Sequence, residues 1–198
     1  MAYVLTEIQN ISKTKRRLHF DNGIVLPASS FETEKRGLYE GMELKDADYE
    51  ALIHDITVKA EKYILGLLTD RDRTRSEITE KLKTAGYPAE IRDAALAYVD
   101  SYGYIDDERF ARSFAEYYGK TCSRAVIKSR LLGKGVSAEI VEKVLAEAVP
   151  DEASQIREII EKRYTDRGLD ISDRKVREKA IRYLLSKGYS YSEIRDAI

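Results

Sequence analysis

Tryptophan is absent from this 198-residue chain, and there are only three prolines, two histidines and one cysteine. Each shortage excludes something. The single cysteine, Cys122, leaves no internal disulfide framework and suits a reducing cytoplasm. His19 and His54 have no partners at metal-ligand spacing, so neither a metal centre nor a cofactor is expected. No apolar run nears the ~18 residues that a membrane span needs, and the N-terminus lacks the apolar stretch of a signal peptide. The protein is therefore expected to be soluble and cytoplasmic. Glycine-rich phosphate loops are missing, and the carboxylates are scattered along the chain. Cys122 has no histidine near it in sequence and reads as a helix-start or core thiol rather than a nucleophile. Together these absences argue against an enzyme. Net charge is only −1 at neutral pH, so the total says nothing about nucleic acid, and any such signal must be local.

What is present suits helices. The hydrophobic share of 43% allows a real core, and the charged share of 35% exceeds the roughly 25% of ordinary domains, as amphipathic helices with wide solvated faces require. Residues 1–45 differ from the rest. Thr6 and Ile8, Leu18 and Phe20, and Ile24 and Leu26 alternate with period 2, and Asp21-Asn22-Gly23 between the last two pairs is a tight-turn signal. The expectation is a small antiparallel sheet of two or three strands. Lys13, Lys15, Arg16 and Arg17 crowd one bend of it. They read either as a charged edge that resists aggregation or as a nucleic-acid contact. Pro27, Gly37 and Gly41 mark loops, and the helical part begins between Leu44 and Ile53.

Three units of three helices follow. Their first helices carry the apolar stripes Ala60, Ile64, Leu67 and Leu68, then Phe110, Phe114, Tyr117 and Tyr118, then Ile156, Ile159, Ile160 and Tyr164. The second helices end alike, with a leucine four residues before Gly86, Gly135 and Gly188, and an apolar residue just after each glycine. Glycine at that position closes a helix in the left-handed conformation, and the apolar residue packs back on the last turn. The terminator recurs 49 residues on (86 to 135) and then 53 residues on (135 to 188). Each copy precedes a fresh helix start: Pro88 near the first position, Ser137 as N-cap, and Ser190 with Glu193 as a capping box. Thr74 with Glu77 is another capping box, and Asp106 or Asp107 can cap the helix that opens the middle unit. The expected fold is mainly α, with three tandem three-helix repeats in an elongated, curved body preceded by a small antiparallel β segment. The boundaries read as 1–45 for the β extension, 46–103 for the first repeat with its lead-in helix, 104–150 for the second and 151–198 for the third.

Charge is local to the second helices. Lys120 to Lys134 holds five basic residues and no acid, and Arg174 to Lys187 holds six against Glu178 alone. In the middle unit Arg124 and Lys128 are one turn apart, as are Arg130 and Lys134, while Ile127 and Leu131 face inward. Such a face either attracts phosphates or an acidic surface, or is solvated and paired with neighbouring acids. Among fourteen tyrosines, Tyr102, Tyr104, Tyr117, Tyr118, Tyr183, Tyr189 and Tyr191 either stack on bases or form the rim of a core with wet hydroxyls.

The run YGYIDDERFARSFAEYYGK at Tyr102–Lys120, continuing through a basic helix to LLGKGVSAEIVEKVL at Leu131–Leu145, resembles the RecX family, bacterial regulators of the RecA recombinase. TRSEITEKLKTAGYPAEIRDAALAYV and the closing LLSKGYSYSEIRDAI resemble its flanking repeats. The resemblance covers about residues 56–198. It implies a non-enzymatic modulator that binds in the groove of the RecA–single-stranded-DNA filament. Such a protein inhibits recombinase, ATPase and coprotease activities, and so modulates recombinational repair and the SOS response. RecA and its filament are the implied partners, with weak DNA contact and the protein acting as a monomer. The implied contact set is Arg109, Arg112, Lys120, Arg124, Lys128, Arg130 and Lys134. A secondary set is Arg71, Arg73, Arg75, Arg174, Lys175, Arg177, Lys179 and Arg182. Where family members often carry an Arg-Gly-Pro-like turn, this chain reads Gly119-Lys120-Thr121-Cys122-Ser123-Arg124. Two other readings are a DNA-binding protein of helix-turn-helix type and a helical scaffold for some other protein.

Overall fold

The short alternating stretches near the N-terminus become strands in the structure, a computed structural model that describes residues 2–149 and 151–198. Strands β1 (Ala2–Asn10), β2 (Lys15–Phe20) and β3 (Val25–Ser29) form an antiparallel meander. Asn22 holds the β2–β3 turn by accepting the Ile24 amide at 3.0 Å, and Gly23 takes φ +81°. Helix α1 (Ser30–Lys35) starts in a capping box of Ser29 and Glu32. The sheet has four strands, not two or three: β4 (Glu43–Lys45) pairs with Ala2–Val4, giving the order β3-β2-β1-β4. Three residues show no period, and their partner lies some forty positions away, so β4 has no local signal. Thr6 also departs from the period-2 pairing with Ile8, which is half-buried. The register shifts between Leu5 and Glu7, which turns Leu5 into the core and leaves Thr6 exposed, its hydroxyl donating to the His19 carbonyl at 3.0 Å.

Helix α2 (Asp46–Asp70) is one continuous element of 25 residues, so the lead-in helix and the first helix of repeat one are fused. No proline or glycine interrupts it before Gly66, and Tyr49, Leu52, Ile56, Ala60 and Ile64 recur every three or four residues on its buried side. Leu5, Leu18, Phe20, Leu26 and Leu44 of the sheet pack into the same core as these residues and as those of α3 (Arg75–Thr84) and α4 (Ala89–Ser101). Each fully buried leucine contributes on the order of 2 kcal/mol by leaving water. This core belongs to the first of two compact units, Met1–Ile105.

The second unit, Asp106–Ile198, holds repeats two and three. Repeat two is α5 (Asp107–Tyr118), α6 (Arg124–Gly133) and α7 (Ala138–Ala148). Repeat three is α8 (Glu152–Arg163), a 3-10 turn (Thr165–Arg167), α9 (Arg174–Ser186) and α10 (Tyr191–Ala197). Gly86, Gly135 and Gly188 close α3, α6 and α9 at φ +92°, +79° and +90°. The capping boxes of Thr74 and Ser190 form, and Ser137 caps α7.

The stripe of α5 lies differently from its spacing. Ala111 and Ala115 are fully buried, Phe110, Phe114 and Tyr118 are half-buried beside them, and Tyr117 is 71% exposed. The small alanines let α5 approach its neighbours closely, which moves the large rings to the flank. In α7, Val141 joins Val144 in the core while Ile140 is half-buried. Tyr189 is buried, whereas Tyr102, Tyr104 and Tyr191 are more than half exposed and do not line a core rim.

Candidate functional site

Asp106 fixes the start of α5: its carboxylate accepts the Arg109 amide at 2.8 Å. Asp107 and Glu108 follow in the first turn, where the helix dipole favours negative charge. Ser123 caps α6 through the Val126 amide, and Ile127 and Leu131 anchor that helix in the core at 0% exposure. These anchors decide which way the basic side chains point.

Arg130 and Lys134, one turn apart on α6, reach back over the aromatic flank of α5. The Arg130 guanidinium lies 5.1 Å from the Tyr118 ring centre, and the Lys134 ammonium 5.6 Å from that of Phe110. Beneath them Phe110, Phe114 and Tyr118 form a row with centroid spacings of 6.0 and 4.4 Å. A cation over a ring face is held by the ring quadrupole. Arg130 has no carboxylate partner among the described residues. Sequence reading missed this platform, although its signal was present in the matching four-residue steps Phe110, Phe114, Tyr118 and Arg130, Lys134.

Other members of the expected set serve the fold. The Arg112 guanidinium bridges Glu108 at 3.2 Å and Glu147 at 2.8 Å, and Lys143 reaches Glu108 at 2.9 Å. Hydrogen bonds from Lys143 and then Arg112 hold the Glu108 carboxyl below its usual range, and those that Arg112 donates to Glu147 and then Glu108 raise Arg112. Lys128 pairs with Glu142 of α7. Arg124 donates to the Val149 carbonyl just beyond the end of α7, where exposed carbonyls attract a cation. Arg109 is exposed, and Lys120 is exposed without an ion pair among the described residues. Lys120 faces repeat three across a cavity of about 290 Å³ that Arg163, Arg167 and Tyr183 also line.

The secondary set divides between the two units. In the first, Arg73 contacts the Leu67 carbonyl and Asp70, each at 3.1 Å, Arg75 pairs with Asp100 at 2.5 Å, and Arg71 is exposed. In the second, Arg174 pairs with Glu178 at 3.0 Å, Arg177 donates to the Ile198 backbone oxygen at 2.9 Å, and Arg182 to the Glu178 carbonyl at 3.4 Å. Lys175 and Lys179 are exposed, and neither makes a side-chain ion pair among the described residues.

Cys122 is buried just before the α6 cap, as a core thiol. Among the described residues no group of histidine, cysteine and acidic side chains could hold a metal ion, and no helix is long and apolar enough to cross a membrane.

Comparisons with known proteins converge. Family models described as the first, second and third three-helix domains of RecX match residues 60–98, 106–145 and 151–198. A regulatory protein RecX of Caldanaerobacter subterraneus subsp. tengcongensis is 31% identical over 166 residues, covering 82% of this chain and 81% of its own. One from Clostridium botulinum (strain Alaska E43 / Type E3) is 25% identical, covering 97% of this chain and 92% of its own. A crystal structure of RecX from Lactobacillus salivarius superposes with a TM-score of 0.59 at 25% identity, over 73% of this chain and 95% of the other. A crystal structure of a regulatory protein RecX shares the fold over 98% of this chain and 99% of its own, with TM-score 0.59 and 24% identity.

Proposed function

This chain belongs to the RecX family, and on that ground we propose that it regulates the RecA recombinase. It binds the RecA–single-stranded-DNA filament and inhibits the filament's recombinase, ATPase and coprotease activities, thereby modulating recombinational repair and the SOS response. The observation that carries this reading is the match of all three helical repeats to the three domains of one regulatory family. The middle repeat supports it by presenting cations on an aromatic platform, which suits a partner offering carboxylates or phosphates.

Within the contact set, Lys120 and Arg130 lead, since neither makes an ion pair among the described residues, and Arg109 and Lys134 stand beside them on the same repeat. Arg112 and Lys128 already face acids, so a filament contact through them exchanges one exposed pair for another and gains little. Arg124 positions α6 through the Val149 carbonyl. Arg71, Arg73, Arg75, Arg174, Lys175, Arg177, Lys179 and Arg182 act at longer range, raising the rate of encounter with an anionic filament.

The test follows the ATPase of a preformed RecA–single-stranded-DNA filament after this protein is added well below one copy per RecA. Progressive loss of activity is expected. Unchanged activity even at equal ratio, with RecA from the same source, would overturn the proposal.

A further inference from the structure

A cavity of about 400 Å³ lies wholly within the first unit, between the sheet and the first repeat, and the proposed filament contact leaves it unused. Lys15, Arg16 and Arg17 reach it from β2, Lys59 and Tyr63 from α2, and Tyr87 from the turn after α3. The strand register explains the space. Arg16 and Arg17 stand opposite Ala28 and Pro27 on the edge strand β3, so on that side these long side chains meet only small neighbours. The Arg17 guanidinium lies instead against Gly86, where an added Cβ would sit 3.8 Å from Nε.

The charge in the cavity is one-sided. Glu32 is its single lining carboxylate, and both oxygens are committed, one to the Ser29 amide at 2.9 Å and the other to Lys59. Lys15, Arg16 and Arg17 therefore have no carboxylate partner among the described residues. Arg16 donates one N–H to the Ser12 carbonyl at 3.0 Å, which leaves four of its five donors. Beside these cations the Tyr63 and Tyr87 rings meet at 6.4 Å between centroids, and Tyr63 is 38% exposed.

We propose that this cavity binds a nucleotide, with the phosphate held by Lys15 and Arg17 and the base laid against Tyr63. Cations alone would accept any anion, and the exposed tyrosine ring favours one that carries a flat ring of its own. A phosphate joined to a flat base uses both features, because guanidinium matches phosphate in geometry and the ring supplies a stacking face. The volume falls in the range of small-ligand sites. A free mononucleotide and one unit of a single strand carry the same chemistry. The site gives the basic turn of the N-terminal sheet a task separate from RecA.

The test uses the full chain and two probes: thymidine monophosphate by calorimetry, and a labelled oligothymidine by fluorescence anisotropy in rising salt. Arg17→Glu is expected to weaken binding about tenfold or more and to flatten the salt dependence. Tyr63→Leu is expected to weaken it at least about fivefold, while Tyr63→Phe keeps it. Lys45→Glu, an exposed change outside the cavity, is expected to leave affinity within about twofold. Thermal melts verify that each variant is folded. Binding of the monophosphate identifies the free nucleotide as sufficient, and binding of the oligonucleotide alone identifies a strand; either supports the site. Lack of binding by both probes at millimolar concentration would overturn it. So would folded Arg17→Glu and Tyr63→Leu proteins that bind as the native chain does, or an equal loss in Lys45→Glu. No RecA enters this test, so its failure leaves the filament reading in place.

Discussion

Gly188, which closes α9 in repeat three, packs directly against Val126 on α6 of repeat two. A Cβ on Gly188 would lie 2.8 Å from Ser123 Oγ and closer still to Val126 Cγ2, and the residue already sits at φ +90°. Beside it the Ser123 amide donates to the Lys187 carbonyl at 3.1 Å. Gly188→Ala therefore meets two penalties, left-handed strain and overpacking, together about 2–5 kcal/mol. A thermal melt should show a drop of many degrees. Gly103→Ala is the control: φ is +68°, but nothing lies within 4 Å, so only about 1–2 kcal/mol should be lost. Equal losses in the two variants would show that close packing at Gly188 contributes nothing.

Gln155 makes the polar half of the same joint. It is 3% exposed, its amide donates to the Gly119 carbonyl at 2.9 Å, and its oxygen accepts from the Tyr189 hydroxyl at 3.1 Å. Burial pushes the Tyr189 hydroxyl well above its ordinary range, so it stays a neutral donor. Gln155→Leu leaves both partners unsatisfied and should cost about 2–4 kcal/mol. Tyr189→Phe in the native background should cost about 1 kcal/mol, yet in the Gln155→Leu background it should be neutral or stabilising, because it removes an orphaned hydroxyl. A denaturant double-mutant cycle measures this coupling, and strict additivity would exclude the bond as a contributor.

Acid should loosen the second unit. The folded state holds Glu108 below its reference value of 4.5, first through Lys143 and then through Arg112, and holds Asp151 and Asp170 below 3.8 through their bonds to Ser154 and Ser172. A depressed carboxyl stabilises the fold above its unfolded value and loses that contribution as pH falls through the folded one. Melting temperature should therefore fall as pH drops from about 5 to about 3. Glu108→Gln should melt lower near neutrality and show a shallower acid slope. The effect should be small because all three groups face solvent. A slope identical to that of the native chain would remove Glu108 from the account.

Local chemistry was legible and distant chemistry was not. The closing glycines 86, 135 and 188 and the boxes at Thr74 and Ser190 depend on residues within a few positions, so the sequence alone located them. Strand β4 depends on pairing with residues 2–4, and the inward turn of Leu5 depends on a register shift against β2, neither of which leaves a periodic trace. The same limit applies to the site. The basic run on α6 was plain, but Glu147 and Glu142, which pair with Arg112 and Lys128, sit on α7, 35 and 14 residues further along the chain (112 to 147 and 128 to 142). Only the folded chain separates cations committed to the fold from those left to a partner.

That separation gives a paired prediction for filament inhibition. Arg130 lies over Tyr118 with no carboxylate partner among the described residues, whereas Arg112 bridges Glu108 and Glu147. Arg130→Glu breaks no ion pair and loses only the cation–ring contact with Tyr118, so the melting temperature should fall by no more than a few degrees. It should raise the concentration needed for half-inhibition of the RecA filament ATPase by about tenfold or more, because a reversed charge repels an anionic surface as well as losing contact. Arg112→Glu should do the opposite. It places a third carboxylate between Glu108 and Glu147, costs stability through like-charge repulsion, and alters inhibition only in proportion to the protein that remains folded. If folded Arg130→Glu inhibits as the native protein does, the aromatic platform is not the contact, although the family reading survives. If Arg112→Glu stays fully stable and loses inhibition, the cluster on α5 and α7 is itself the binding face, and the cations over the rings are the structural ones.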